Sequence, residues 1–500
     1  MSLGSGGGRP ARQLLVETGV LSVIGAVAGV AVAFGILRVL VAQAPAGLPR
    51  LDAVTIDLRV LGLAVFVALA AGVVFGLLPL WQALAIDPNE SLRSGGGGRT
   101  AGGRGAARMR ALLVVAETAL AVVLVTGAGL LGRTLWAIQQ VDPGFARAGV
   151  LKAEYQLPAS RYPVDFRRFP DLSEQHAFTR AVLERARALP GVTSAAVAGN
   201  HPLDPGFTNS FRIVGRGDER FPEISIRRVT PGYFETVGLD IAAGRRLADG
   251  DTTTAPPVAL INESARARLF GDRDPLGARI AFWGAERTIV GVTRDEHVQG
   301  VTQAAPIAVY VPLAQAPSTT GAGVLLLRTT MDPASLATAA TGAVHAVDPQ
   351  LAVFGVEPLV ETFSRSIGEQ RFAALLLSSF ALMALALAAV GVYGVLSYAV
   401  ARRTRELGIR MALGAAPSAL RRSVIGEGLR LGAAGLAVGL LGAMAFGRAL
   451  SSLLYSVEPT DPVTVAAVGV LLLVVALAAS AIPARRATAV DPTEAMRTEG

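Results

Sequence analysis

Apolar residues gather in six long runs, at about 14–41, 60–85, 111–138, 371–400, 423–450 and 462–484. Each reaches or exceeds the ~20 residues that an α-helix needs to cross a hydrocarbon core of roughly 30 Å. Residues 60–86, 372–400 and 462–484 carry no charge at all, which favours membrane spans over buried helices of a soluble protein. Between the third and fourth runs the texture changes. Short β-branched stretches at Ser194–Val197, Phe211–Val214, Val258–Ile261, Thr288–Val292, Ala308–Val311 and Val324–Leu327 predict strands. Leu172–Leu189, Glu263–Phe270 and Pro333–Val347 predict helices, with breakers such as Leu189-Pro190-Gly191 where elements should end. Strands and helices mix without strict alternation, so α+β is expected, with one large core or two lobes. The predicted fold is a polytopic α-helical membrane protein with six transmembrane helices and one large α+β extracytoplasmic domain.

The apolar pattern also repeats. Residues 1–40 align without a gap on 411–450, so that Glu17, Gly25, Gly29, Ala33 and Arg38 meet Glu427, Gly435, Gly439, Ala443 and Arg448. After a six-residue slip Asp57, Pro79, Asp87 and Pro88 meet Asp461, Pro483, Asp491 and Pro492. Repeated helix sets are a mark of membrane transport folds. The second copy is preceded by a further helix and a large domain that the first lacks.

Composition supports the membrane reading: 52% hydrophobic and 17% charged residues, with a mean hydropathy of +0.49. Cysteine is absent, which removes disulfides, thiolate metal sites and thiol nucleophiles. The net charge of +8 is almost wholly arginine, since Lys152 is the only lysine. The arginines flank the spans, which argues against nucleic acid as a partner. Arg93, Arg99, Arg104, Arg108 and Arg110 lie between spans two and three; Arg402, Arg403, Arg405, Arg410, Arg421 and Arg422 lie between spans four and five. The opposite loops hold Asp52, Asp57, Glu458 and Asp461. The positive-inside rule then puts both termini in the cytoplasm and residues 139–370 outside.

Several motifs now come together. Val141-Asp142-Pro143-Gly144-Phe145 follows a span, and Pro231-Gly232-Tyr233-Phe234, Val258–Glu263 and Thr288–Val292 lie in the outer segment. After span four comes Arg403-Thr404-Arg405-Glu406-Leu407-Gly408-Ile409-Arg410-Met411-Ala412-Leu413-Gly414-Ala415. The set resembles the MacB/FtsX-type family of ABC-transporter permeases, and most of all the acidobacterial-type duplicated permeases. The resemblance implies units of one helix, an extracytoplasmic domain and three helices. Residues 108–500 match a whole unit and residues 1–93 only the last two helices of one, so an N-terminally truncated first unit is expected. The expected layout is 1–93 partial unit, 94–109 Gly/Arg-rich cytoplasmic linker, 110–138 helix, 139–370 MacB-like periplasmic core domain, 371–484 FtsX-like domain and 485–500 cytoplasmic tail.

The 403–415 run reads on its own as a short helix, with Thr404 as cap, Leu407/Met411 and Ile409/Leu413 as i,i+4 apolar pairs, and Gly414 with Pro417 as stop. The resemblance implies a coupling helix, through which an ATPase moves the membrane helices, with Arg405, Glu406, Leu407, Gly408, Ile409, Arg410, Met411, Leu413 and Gly414 as its contact set. No G-x-x-x-x-G-K-[ST] loop occurs in the sequence; Gly127–Thr134 imitates its spacing with arginine in place of lysine, inside a span. ATP is therefore expected on a partner subunit, with no cofactor in this chain. Small residues four apart, Gly25/Gly29 and Gly435/Gly439, predict close helix packing. Glu17, Glu117 and Glu427 are expected to snorkel or to pair with Arg12, Arg110 and Arg422. Asp295-Glu296-His297 lacks the further ligands a metal would need and predicts a turn.

The resulting expectation is a non-catalytic permease subunit in a bacterial inner membrane. Its partners would be an ABC-type ATPase, the lipid bilayer and a second permease chain or periplasmic protein. A membrane-anchored regulator or scaffold of an envelope enzyme is the alternative from another class, and an inactive truncated remnant a third.

Overall fold

The computed structural model describes residues 8–43, 57–70, 101–163, 173–217, 219, 221–298, 300, 302–316 and 321–488. The chain forms two compact units: residues 138–368, and residues 1–137 together with 369–500.

The membrane unit opens with α1 (Gly8–Ala42) and α2 (Leu58–Ala70), followed by α3 (Ala101–Gln140). Among the described residues five helices are long and apolar enough to cross a membrane, and α2 is a shorter apolar helix. Residues 71–85 of the second predicted span lie outside the described residues. The stretch expected as a linker, 94–109, is helical from Ala101 onward. Adding residues to an existing helix costs little compared with nucleating one, so the apolar run beyond Arg108 carries the Gly/Ala/Arg segment with it.

The second unit holds β1 (Val150–Gln156), α4 (Ser173–Arg187), β2 (Val192–Ala198), β3 (Phe207–Asn209), β4 (Arg212–Ile213), β5 (Ile224–Val229) and α5 (Tyr233–Val237). It continues with β6 (Ile241–Gly244), β7 (Val258–Asn262), α6 (Glu263–Phe270), β8 (Arg279–Phe282), β9 (Ala285–Thr293) and β10 (Ala308–Pro312). β11 (Ala322–Thr329), α7 (Ala337–His345), β12 (Ala352–Pro358) and α8 (Leu359–Ser366) complete it. The strands form one mixed sheet in the order β12-β1-β11-β2-β5-β10-β7-β9-β8-β4, with β3 on β5 and β6 on β9. It is an α+β domain with two cores on one sheet. Leu151, Tyr155, Val197, Leu325 and Leu327 pack under α4 and α7 through Phe178, Val182 and Val344. Ile226, Ile261, Ile289 and Val309 pack against Ala265 and Leu269 of α6. The lobes join where β2 meets β5, at the pair Ala198 and Val229.

β1 and β5 were not among the predicted strands because each carries charge in its middle. Lys152 is buried and pairs with Glu154 and, at 3.2 Å, with Glu357 of β12. All six residues of β5 are buried, Arg227 and Arg228 among them. A buried charge survives only with partners, and here the partners come from distant segments.

The chain returns to the membrane unit with α9 (Gly368–Arg402), α10 (Thr404–Ala412), α11 (Pro417–Ala449) and α12 (Pro462–Thr488).

Candidate functional site

α10 is held by one face only. Leu407 and Gly408 are buried and Met411 half-buried, against Leu396 and Val400 of α9, Leu420 and Val424 of α11, and Ala484 and Ala487 of α12. The other face stands free: Glu406, Ile409 and Arg410 are exposed, and Leu413 just beyond the helix is 82% exposed. The Leu407/Met411 pair is therefore the anchor, and Ile409 and Leu413 point outward with the Glu406–Arg410 ion pair between them.

The ends of α10 differ from expectation in two ways. Thr404 is not its cap, because its hydroxyl donates back to the carbonyls of Val400 (3.1 Å) and Ala401 (2.9 Å) at the end of α9. The chain turns at Arg403, whose side chain donates no cap bond and instead reaches Glu427 of α11 at 3.4 Å. Pro417 does not stop α10; it is the first residue of α11, where a missing N–H costs nothing. Gly414 closes the helix with φ +89, and Ala415 N–H donates to Arg410 at 2.9 Å, a left-handed C-terminal turn that favours glycine. The Arg405 side chain lies outside the described side chains.

The charge pairs also differ. Glu427 meets Arg403 and not Arg422, because the α9–α10 turn folds onto α11. Arg110 lies over the ring of Tyr398 at 4.0 Å, while a Cβ on Gly391 of α9 would strike the Glu117 carboxylate. The Arg12 side chain is not among those described.

Behind α10, α11 presents a buried stripe of Gly428, Gly432, Gly435, Gly439 and Gly447. A Cβ on Gly435 would lie 2.5 Å from Thr118 Cβ of α3, and one on Gly439 2.5 Å from Val122 Cβ. Val122 closes the groove between α11 and α12 with Val468 and Leu472. Gly25 and Gly29 of α1 are different: a Cβ on either meets nothing within 4 Å, so among the described residues no helix packs there.

The domain holds a site that the motif reading passed over. Glu296, read as part of a turn, is buried and accepts from Tyr233 Oη (2.7 Å), Tyr310 Oη (2.9 Å) and Arg227 Nη2 (3.3 Å). Burial, and then the Glu296 charge, push both tyrosine hydroxyls well above their ordinary range. Its neighbour Asp295 accepts from Asn262 Nδ2 (2.7 Å), Ser264 N (2.9 Å) and Ser264 Oγ (2.8 Å). His297 N donates to Pro143 O at 3.0 Å, and Gly144, at φ +82, leaves no room for a Cβ beside Asp295. The Asp142–Phe145, Pro231–Phe234 and Val258–Glu263 motifs thus meet in one polar knot. A carboxylate four residues after the Thr288–Val292 motif was the available signal; its arginine partner, 69 residues away, was not. Among the described residues no group of His, Asp and Glu is arranged to hold a metal.

His201 lies beside this knot. Burial first, then the nearby Lys152, push it down to about 4, against the opposing pull of Glu154 and Asp204; Arg227 also lowers it. Its Nδ1 accepts from Leu203 N at 3.2 Å, a bond that protonation would break. The unfolded chain binds this proton at about 6.5, so the stability is complete above that pH and is lost as pH falls toward 4. Hydrogen exchange in β2 and β5, corrected for intrinsic rate, should show ~1–3 kcal/mol less protection at pH 4.5 than at pH 7. A His201→Gln chain should lose less over the same window.

A membrane bundle carrying a mixed α+β domain between its helices, with a half-anchored helix in the loop after α9, defines a class: multi-pass inner-membrane permeases. Residues 111–347 match the MacB-like periplasmic core domain family, and residues 378–492 the FtsX-like permease C-terminal family. The chain belongs to the MacB/FtsX-type family of ABC-transporter permeases. It is 26% identical over 287 residues to the macrolide export ATP-binding/permease protein MacB of Hahella chejuensis, covering 55% of this chain and 43% of that protein. It is 26% identical over 300 residues to the pyoverdine export ATP-binding/permease protein PvdT of Pseudomonas syringae pv. tomato, covering 57% and 43%. The chain thus spans less than half the length of these relatives. Among solved structures, the periplasmic region of MacB from Actinobacillus actinomycetemcomitans aligns at 15% identity and a TM-score of 0.32, over 46% of this chain and 97% of that one.

Proposed function

We propose that this chain is the permease subunit of an ABC-type export or mechanotransmission system, in which a separate ATPase moves the periplasmic domain through α10. The observation that carries it is the division of α10 into an anchored face, Leu407 and Met411, and a presented one, Ile409 and Leu413. An apolar side chain 82% exposed outside the spans is a contact waiting for a protein partner. Glu406 and Arg410 beside it supply polar complementarity at the rim. Any push on α10 reaches α9, α11 and α12 together, because all three pack on its anchor. α9 continues from residue 368, where the domain ends, and Val141–Phe145, which follows α3, is bonded into the Glu296 knot. The relatives' names join ATP binding to a permease, which supports the reading that an ATPase acts on this chain. Export is the direction those names suggest.

The reading requires α10 and the domain on opposite sides of the membrane, with both termini cytoplasmic. The chain has no cysteine, so Ser173→Cys in the domain and Ser418→Cys beside α10 give single labelling sites, both exposed. An impermeant thiol reagent should modify position 173 in cells with a permeabilised outer membrane and position 418 only after the inner membrane is opened. Labelling of both from the same side sinks the proposal.

A further inference from the structure

α1 and α2 enclose an apolar cleft of about 550 Å³ whose lining, transferred through the internal repeat, is the seat that α3 occupies on α11 and α12. Gly25 and Gly29 stand for Gly435 and Gly439, which receive Thr118 and Val122. Ala64 and Ala68 stand for Val468 and Leu472, which close on Val122. Asp57, at the mouth of the cleft, stands for Asp461, which is ion-paired to Arg133 of α3. Both aspartates bond to the N-terminus of the helix that follows, Asp57 with Arg59 N at 2.9 Å and Asp461 with Thr464 N at 2.7 Å. Asp461 has its arginine; among the described residues Asp57 has no ion pair.

We infer that this cleft is the docking site for a transmembrane helix of a partner permease subunit, built on the pattern of α3. Two observations converge on that occupant: an open glycine face, and a carboxylate placed where the filled seat holds an arginine. The incoming helix carries small or β-branched residues four apart at the glycine pair and an arginine fifteen residues after the first of them, the interval from Thr118 to Arg133. Because Ala64 and Ala68 are smaller than Val468 and Leu472, it carries more volume than valine at the position of Val122. Close backbone approach at the glycines and a charge pair at the rim drive the association, since lipid tails offer helices no hydrophobic gain. This surface is distinct from the presented face of α10 and does not depend on the ATPase reading.

The test uses the full chain with Gly29→Cys, co-expressed with a separate peptide of residues 108–140 carrying Val122→Cys. The same pair within one chain, Gly439→Cys with Val122→Cys, fixes the disulfide yield of an occupied seat. Oxidation of membranes should link the peptide to position 29 at least about fivefold more than to Val27→Cys, which lies on a 65% exposed position of α1. Asp57→Arg in the chain should cut the yield by about fivefold, and Arg133→Asp in the peptide should restore it. Equal yields at 27 and 29 would mean that lipid fills the cleft. Chain-to-chain linkage through position 29 would mean a second copy covers it, and an ineffective charge swap would remove Asp57 from the site; each overturns the inference.

Discussion

Replacing Glu296 with alanine should destabilise the 139–370 domain by about 3–5 kcal/mol, the typical cost of leaving one member of a buried ion pair alone. Both partners are buried, at 2% exposure each. Arg227 would keep its bonds to the carbonyls of Asp204 (2.5 Å) and His201 (3.1 Å), so its hydrogens are not all orphaned, but its charge is. Tyr233 and Tyr310 would lose their shared acceptor. The paired change Arg227→Met with Glu296→Leu should cost less than Glu296→Ala alone, because it removes the uncompensated charge. Hydrogen exchange in β5 and β10 measures this directly. A single-variant loss under about 1 kcal/mol would mean that water reaches the site and that the knot does not stiffen the segment after α3.

Gly439→Leu should separate α3 from α11, whereas Gly29→Leu should be tolerated in the same chain. At Gly439 a Cβ would already sit 2.5 Å from Val122 Cβ and 2.8 Å from the Ala119 carbonyl oxygen, which is backbone and cannot rotate away. Overpacking of this kind costs ~1–3 kcal/mol or more when backbone must move. At Gly29 the space is open, and losing a helical glycine is if anything favourable by roughly 0.5–1 kcal/mol. Thermal unfolding of the two variants in detergent, side by side, should show a lowered midpoint only for Gly439→Leu. A similar fall for both would mean that α1 packs in this chain as tightly as α11 does.

The membrane helices were legible because their signal is local: long apolar runs whose backbone bonds are internal. The glycine pairs were legible as contact positions but not as filled or empty, since that depends on which other helix arrives. In the domain, elements whose faces follow hydrophobic periodicity appeared in the sequence, as at Val258–Asn262 and Glu263–Phe270. β1 and β5 did not, because Lys152 and Arg227 imitate solvent-facing loops until Glu357 and Glu296 are brought beside them. α10 was placed almost to the residue, yet its capping was misread: a threonine after a long helix bonds back to that helix as readily as it caps the next. Sequence spacing also suggested pairing within one helix for Glu427, where the turn at Arg403 provides the partner.

α10 is the proposed point where an ATPase meets the membrane helices, and Leu413→Asp and Glu406→Arg test that role most directly. Both positions are exposed, so neither variant disturbs the Leu407–Met411 anchor. The measurement is ATP hydrolysis by the partner ATPase reconstituted with wild-type or variant permease in lipid vesicles, with permease insertion checked alongside. Normal insertion with loss of the permease-dependent change in hydrolysis is the predicted result. Unchanged partner binding and unchanged hydrolysis in both variants would contradict it.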